Sequence, residues 1–190
     1  LTEEEAGGHD HIGIAVAIHV RDGRIVGERD RIRHGHDRRG GPVAQVDAEF
    51  VERPYSYVNA PQEMPLEFYF VTVPDGPLTR AMTVLQPGDP IWVMRRPSGF
   101  LTVYEVPDAR DLWMLATGTG VGPFLSMLQT DEPWRRFEHV VLGYGVRYHA
   151  DLAYRELIGR LKREHAGRFH FVPFITGEAA GDGFGRRIPQ

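Results

Sequence analysis

Two short stretches carry residue types that could do chemistry. The first is LWMLATGTGVGPFLSML, Leu112 to Leu128, in which an apolar run leads into alternating Gly and Thr and then into a second apolar segment. A strand that ends in a Gly-rich turn and opens a helix points backbone N–H groups outward, and the helix terminus adds about half a positive charge. Together these make an anion site, most often for phosphate. TGTGVGP is neither the spaced G-x-G-x-x-G of the usual dinucleotide fingerprint nor a P-loop, since no Gly-Lys-Ser/Thr follows. A nucleotide loop and a tight strand–helix turn packed with small residues both fit it. The second stretch is Arg53-Pro54-Tyr55-Ser56. The Arg can pair with a diphosphate, the Tyr ring can stack on a planar heterocycle, and the Ser hydroxyl can donate or accept a hydrogen bond. On a strand, Arg53 and Tyr55 share one face and Ser56 takes the other. An ordinary edge strand with an exposed Arg accounts for the tetrapeptide equally well.

The elements that position these residues follow from periodicity. LEFYFVTV, Leu66 to Val73, reads as a strand, with Leu66, Phe68 and Phe70 on one face and Tyr69, Val71 and Val73 on the other. PDGPLTRAMTVL reads as a short helix capped by Asp75, with Pro77 in its first turn. PIWVMRR is a further strand candidate. After Pro107 the rhythm changes. DLWMLA and HVVLGYG read as buried parallel strands and RFHFVPFIT as a third. A helix is expected from about Gly122 to Leu128. In a second helix Tyr154, Leu157, Ile158 and Leu161 sit at i, i+3, i+4 and i+7, and Gly167 is its stop. Strand, helix, strand, helix, strand predicts a doubly wound parallel sheet. Trp113 and Trp134 are expected to be packing residues.

The first 45 or so residues differ. Between Arg21 and Gly41 every residue except Ile25, Val26 and Ile32 is Arg, Gly, His, Asp or Glu. GIAVAIHV could be a short strand, and Asp22-Gly23 a hairpin turn, but the stretch has little with which to build a core. His9, His11, His34 and His36 alternate in pairs, but no second shell is evident around them in the sequence, so no metal site is expected. The net charge of −4 lacks the footprint of a nucleic-acid binder. The absence of cysteine excludes disulfides, cysteine zinc sites and thiolate-held clusters. The apolar run Ile12 to Val20 falls far short of the roughly 20 residues of a membrane span. A cytoplasmic location, no membrane contact and a monomer are the expectations.

RPYSYVNAP, LEFYFVTVPDGPLT, LQPGDPIWV, SGF, DLWMLATGTGVGPFLSML and GVRYHADLAY, in this order and spacing, resemble the bacterial ferredoxin (flavodoxin)–NADP reductases from about Arg53 to Pro189. The resemblance implies an α+β chain of two domains. Residues 1–105 would be an antiparallel FAD-binding β-barrel, apparently incomplete and atypical over 1–48. Residues 106–190 would be a truncated, doubly wound parallel α/β nucleotide-binding domain. It implies hydride transfer between NADP(H) and FAD, then single electrons to or from ferredoxin or flavodoxin.

Carried over residue by residue, Arg53 with Pro54 would hold the FAD diphosphate. Tyr55 would lie against the flavin ring, and Ser56 would hydrogen-bond near N5; these two stand nearest the chemistry. Tyr69, Phe70 and Val71 would flank the flavin, and Gly76, Leu78 and Thr79 would offer backbone N–H groups to the diphosphate. Thr117, Gly118, Thr119, Gly120 and Gly122 would face the nicotinamide nucleotide, with Val146, Arg147 and Thr176 on the neighbouring strand ends. Arg187 matches an Arg that binds the adenosine 2′-phosphate. The pairs Arg95-Arg96 and Arg135-Arg136 could receive an acidic redox protein.

Three departures accompany the resemblance. Residues 1–48 lack the family's AGQF-type segment, as a divergent start or a frame-shifted reading would. The chain stops at Gln190, before the family's CG-x-P motif and terminal aromatic residues. Gly177 stands where an Arg for the 2′-phosphate is usual, leaving NADP against NAD preference open. An inactive truncated remnant and a related flavin reductase with another electron acceptor are the alternative readings.

Overall fold

The structure, a computed structural model, describes residues 14–18, 20–21, 24–25, 42–46, 49–63, 66–85, 91–93 and 99–177. The two His pairs, Arg95, Arg96 and Arg187 lie outside the described residues.

The N-terminal half carries short strands: β1 (Ile14–Ile18), β2 (Val20–Arg21), β3 (Arg24–Ile25), β4 (Pro42–Val46), β5 (Glu49–Glu52), β6 (Leu66–Phe70) and, after helix α1 (Pro77–Thr83), β7 (Trp92–Val93). β2 and β3 pair antiparallel with Arg21 opposite Arg24, the register of a two-residue hairpin loop. β1 pairs with β6, and β4 lies between β5 and β7, all antiparallel. Among the described residues these strands form three small sheets rather than one closed barrel.

The strand read over 66–73 ends at Phe70, and its alternation separates two cores. Phe68 and Phe70 pack with Leu78, Met82 and Ile91, while Tyr69 joins the core of the C-terminal half. Gly76, not Asp75, is the N-cap of α1, and no side chain caps it; Pro77 fills the first position, where a missing N–H costs nothing.

The C-terminal half holds β8 (Asp111–Thr117), α2 (Val121–Leu128), α3 (Glu132–Arg136), β9 (His139–Val146), α4 (Arg155–Glu164) and β10 (Phe169–Ile175). The three strands are parallel in the order β10-β9-β8. β9 is central and buried from Val140 to Val146. Among the described residues β10 lies at the edge of the sheet, a position that accommodates Pro173. Gly167, at φ +81, lies just beyond the end of α4, as a helix stop requires.

The parallel sheet expected after Pro107 is present, with three strands among the described residues. The strands are laid down in one direction, β8 to β9 to β10, and right-handed crossovers then carry their helices over the same face. Val121, Leu125, Leu128, Ile158 and Leu161 accordingly share one core with Leu112, Met114, Ala116, Val140, Leu142 and Phe169. The described helices α2 and α4 pack on one face of the sheet. β8 is therefore not buried on both faces. It alternates strictly, with Trp113 66 % and Leu115 54 % exposed. Trp113 is thus not a packing residue. Trp134 is one: it stacks on His165 at 3.5 Å and meets Phe169 edge-on.

Residues 103–108 lead into this sheet and are held by one side chain. Arg136 donates to the Val103 carbonyl at 2.7 Å, the Val106 carbonyl at 2.6 Å and Asp108 at 3.1 Å. Asp108 is fully exposed, so its ion pair adds little, and the carbonyl bonds matter most. Arg136→Ala is expected to destabilise the protein by about 1.5–3 kcal/mol. The check is a lowered denaturant midpoint with an unchanged slope.

Candidate functional site

The Gly-rich loop is open where a ligand would need it to be. β8 ends at Thr117, a single 3-10 turn covers Gly118–Gly120, and α2 begins at Val121 with no side-chain cap. Gly118 has φ +50, the left-handed region that favours glycine. A Cβ at Gly118 or Gly120 would meet nothing within 4 Å. Packing therefore does not demand glycine at these two positions. Free space at an uncapped helix start is what an anion-binding loop requires.

The neighbouring strand ends complete one edge. Thr117 stands opposite Gly145, and Val146 opposite Ile175. The Thr176 N–H donates to the Val146 carbonyl at 3.0 Å, and the Gly177 N–H to the Arg147 carbonyl at 2.7 Å. Thr117 to Gly120, Val146, Arg147 and Thr176 therefore lie along the carboxyl edge of the sheet, where open α/β sheets bind ligands. Arg147 is exposed, its guanidinium 5.2 Å from the centre of the Tyr148 ring. The glycine at 177 has a local cause. A Cβ there would lie 2.7 Å from Arg147 Cγ and 2.8 Å from the Arg147 carbonyl oxygen.

Residues 53–56 continue from β5 outside any strand, and Tyr57 makes one bridge to Phe68. Arg53, Pro54 and Ser56 are exposed and Tyr55 is half-buried. Burial raises the Tyr55 pKa, against an opposing pull from Arg53. The segment is bound to α2. A Cβ on Gly122 would come within 3.9 Å of the Ser56 and Tyr57 carbonyls. Ser126 Oγ donates to the Asn59 carbonyl, and Gln129 Nε2 to the Val58 carbonyl, each at 2.8 Å. The two stretches singled out by their residue types thus adjoin. Sequence reasoning missed Ser126 and Gln129; the signal was two polar residues, three apart, on an otherwise apolar helix.

A cleft of about 670 Å³ opens beside this junction, walled by Tyr55, Ser56, Tyr57, Phe68, Phe100 and Tyr104 among others. That volume suits a ligand of cofactor size, and its aromatic walls suit a flat ring. It does not reach Thr117–Gly120; Pro123, Ser126 and Met127 of α2 form its near wall.

Of the remaining predicted residues, Phe70 and Leu78 are each 2 % exposed, so only their backbone is available to a cofactor. Val71 is half-buried. Thr79 Oγ1 accepts from the Val73 N–H at 3.1 Å and lies 3.2 Å from the Gly76 carbonyl, so the hydroxyl organises the turn. Gly76 is confined by that hydroxyl, which would stand 2.7 Å from a Cβ.

Tyr69 turns away from the cleft into a cluster with Tyr144 and Tyr154. Its ring meets Tyr154 edge-on at 5.5 Å. Tyr144 Oη is buried near Tyr69 and the Ala153 backbone but makes no hydrogen bond of good geometry. Tyr154 Oη donates to Glu67 Oε1 at 2.8 Å. Desolvation is the largest cause that raises the pKa of all three; neighbouring phenolic groups add to it for Tyr144 and Tyr154, and Glu67 for Tyr154, whereas the Tyr144 hydroxyl partly opposes it at Tyr69. A phenol whose folded pKa lies above its unfolded value of about 10 keeps its proton longer in the folded state, so stability falls as pH rises above about 10. In a phenolate absorbance titration, Tyr69, Tyr144 and Tyr154 are expected to ionise at higher pH in the folded chain than in the unfolded one.

Residues 114–189 match the family model described as an oxidoreductase NAD-binding domain. The flavodoxin/ferredoxin–NADP reductase of Shigella flexneri is 44 % identical over 145 residues, 76 % of this chain and 58 % of the relative. The protein of the same name from Buchnera aphidicola (strain Bp) is 37 % identical over 156 residues, 82 % of this chain and 60 % of the relative. Among solved structures, a ferredoxin NADP+ reductase from Neisseria gonorrhoeae with bound FAD and NADP is 30 % identical with a TM-score of 0.76. That match covers 92 % of this chain and 67 % of the other. The chain belongs to the ferredoxin–NADP reductase family. It spans about 58–60 % of the length of the curated ferredoxin–NADP reductases just named. The Arg53–Ser56 segment and the Thr117–Gly120 loop of this reductase-family chain are exposed apart from the half-buried Tyr55 and Thr119, and they adjoin through α2. Among its described residues no helix is long and apolar enough to cross a membrane, and no cluster of three metal-ligating side chains occurs.

Proposed function

We propose that the chain is the flavin- and nucleotide-binding part of a reductase that passes hydride between NADP(H) and FAD and exchanges single electrons with ferredoxin or flavodoxin. The observation that carries this reading is the junction of Arg53–Ser56 with α2, directly behind a loop whose glycines border open space. FAD and NADP(H), when bound, supply the hydride and one-electron chemistry, and the protein supplies position and electrostatics.

Each residue has a task in this reading. Arg53, next to Pro54, pairs with the FAD diphosphate, helped by backbone N–H groups around Gly76, Leu78 and Thr79. Tyr55 lies flat against the flavin ring, Ser56 offers its hydroxyl at the N5 edge, and the backbone of Phe70 and Val71 stands behind, while Tyr69 faces the C-terminal core instead. Thr117 to Gly120 receive the dinucleotide at the start of α2, and Gly118 and Gly120 let it approach the backbone. Val146, Arg147 and Thr176 border it, and Arg147 and Arg187 supply positive charge for an adenosine 2′-phosphate. The hydride step needs no side-chain acid or base, so contributions to the rate come from distance and orientation. The cytoplasm and a monomeric state complete the proposal.

The test is NADPH-driven reduction of cytochrome c by the FAD-loaded chain, with and without added ferredoxin or flavodoxin. Reduction that depends on the added carrier supports the reading. Flavin reduction with no carrier dependence would point instead to a reductase with a different acceptor.

A further inference from the structure

Among the described residues, Tyr154 is the one non-glycine residue with positive φ, at φ 57 and ψ 30. It is also the N-cap of α4, a position that prefers extended backbone and a small polar side chain. A bulky aromatic residue in the left-handed region is strained, and such strain persists only where surrounding contacts over-determine it. The contacts here are tertiary: the 2.8 Å hydrogen bond to Glu67 and the edge-on contact with Tyr69. Tyr154 is only half-buried, so burial alone does not force its hydroxyl onto the carboxylate.

Glu67 is itself tied to the segment that follows Arg53–Ser56. Its N–H donates to Asn59 Oδ1 at 2.9 Å, and its carbonyl accepts from the Val58 N–H at 2.9 Å. Val58 and Asn59 in turn receive Gln129 and Ser126 from α2. Residues 58, 59 and 67 are therefore gripped from two sides. α2 carries the Thr117–Gly120 loop at its start. The chain from Arg147 to Tyr154 leaves the end of β9 and is pinned at its far end.

We propose that Tyr154 is a positioning residue: its hydroxyl on Glu67 locks the Arg147–Tyr154 loop to β6 and, with α2, sets where Arg53–Ser56 stands relative to the carboxyl edge of the sheet. The inference rests on the function proposed above. The groups that would hold a dinucleotide lie within the C-terminal half: Thr117–Gly120, Val146 and Thr176 are outside the released loop, and Arg147, at its near end, stays tied through its carbonyl to the Gly177 N–H at 2.7 Å. What changes is the relation between the two halves, and with it hydride distance rather than nucleotide affinity.

The test compares the wild-type chain with Tyr154→Phe, Glu67→Ala and Glu67→Gln, the last of which keeps an oxygen acceptor. Amide hydrogen exchange without ligand is expected to rise in Tyr154→Phe and Glu67→Ala across residues 66–70 and 152–156, and to stay at the wild-type level in Glu67→Gln. In the FAD-loaded proteins, the flavin reduction rate at saturating NADPH is expected to fall about tenfold in the first two variants. The NADPH concentration for half-maximal rate should move less than about twofold, since the nucleotide contacts are intact. A lower melting temperature with an unchanged saturating rate would overturn the inference, as would a Glu67→Gln variant no better than Glu67→Ala. If wild-type flavin is not reduced by NADPH, the proposed function fails. Unchanged exchange in Tyr154→Phe then overturns the lock, and raised exchange supports it.

Discussion

Gly118→Val is expected to leave the protein folded and to weaken NADPH binding by at least about a hundredfold. A Cβ at position 118 meets nothing within 4 Å, so the substitution clashes with no neighbour. Its structural cost is the left-handed backbone at φ +50, about 1–2 kcal/mol for a β-branched residue. The isopropyl group would stand in the open space through which a phosphate must approach the backbone N–H groups. Losing two charge-assisted bonds there removes about 3 kcal/mol, which is the hundredfold. Gly167→Val is the matched control. It has φ +81 and equally empty surroundings, but it lies beyond the far end of α4. It should show a similar loss of stability and unchanged binding. Titration of both variants with NADPH, followed by calorimetry, checks this. Equal affinity in the two would mean that the loop is only a turn.

Leu125→Ala is expected to destabilise the protein by about 2–5 kcal/mol, a large part of the stability of a small domain. Leu125 is fully buried at the contact between α2 and the sheet, in the same core as Met114 and Leu142. The cavity opens under the helix that carries the Gly-rich loop at one end and Ser126 and Gln129 at the other. Affinity for flavin should therefore fall along with stability, because the grip on residues 58 and 59 loosens. Phe124→Leu, one position earlier and only partly buried, should change stability by less than about 1.5 kcal/mol. Thermal and denaturant unfolding of the two variants make the comparison. A Leu125→Ala variant as stable as Phe124→Leu would mean that this core is not what holds α2.

The C-terminal half was legible because its signals are local. DLWMLA, HVVLGYG and RFHFVPFIT are apolar runs between turn residues, and each became a strand of the parallel sheet. The spacing of Tyr154, Leu157, Ile158 and Leu161 gave α4, although Tyr154 caps the helix rather than starting it. The exposure of Trp113 was not legible, because an apolar run does not say whether both faces of a strand will be covered. Asp75 looked like a cap by type, yet the turn is closed by Thr79, further along the chain. Tyr69 shows the same limit. Its place on the face opposite Phe68 and Phe70 follows from period-two alternation, but its partners Tyr144 and Tyr154 lie far away in sequence. The hydrogen bonds of Ser126, Gln129 and Glu67 are long-range in the same way, and a single polar residue in an apolar pattern hints at them without naming the partner.

The most direct test of the proposed function is the visible absorption spectrum of the purified chain after incubation with FAD and removal of the excess, before and after anaerobic addition of NADPH. The expected result is a bound, structured flavin band that NADPH bleaches. A colourless protein that retains no FAD would contradict the account, because Arg53 to Ser56 would then form no working site. A flavin band that NADPH leaves unchanged would keep the FAD assignment and contradict the nucleotide role of Thr117 to Gly120.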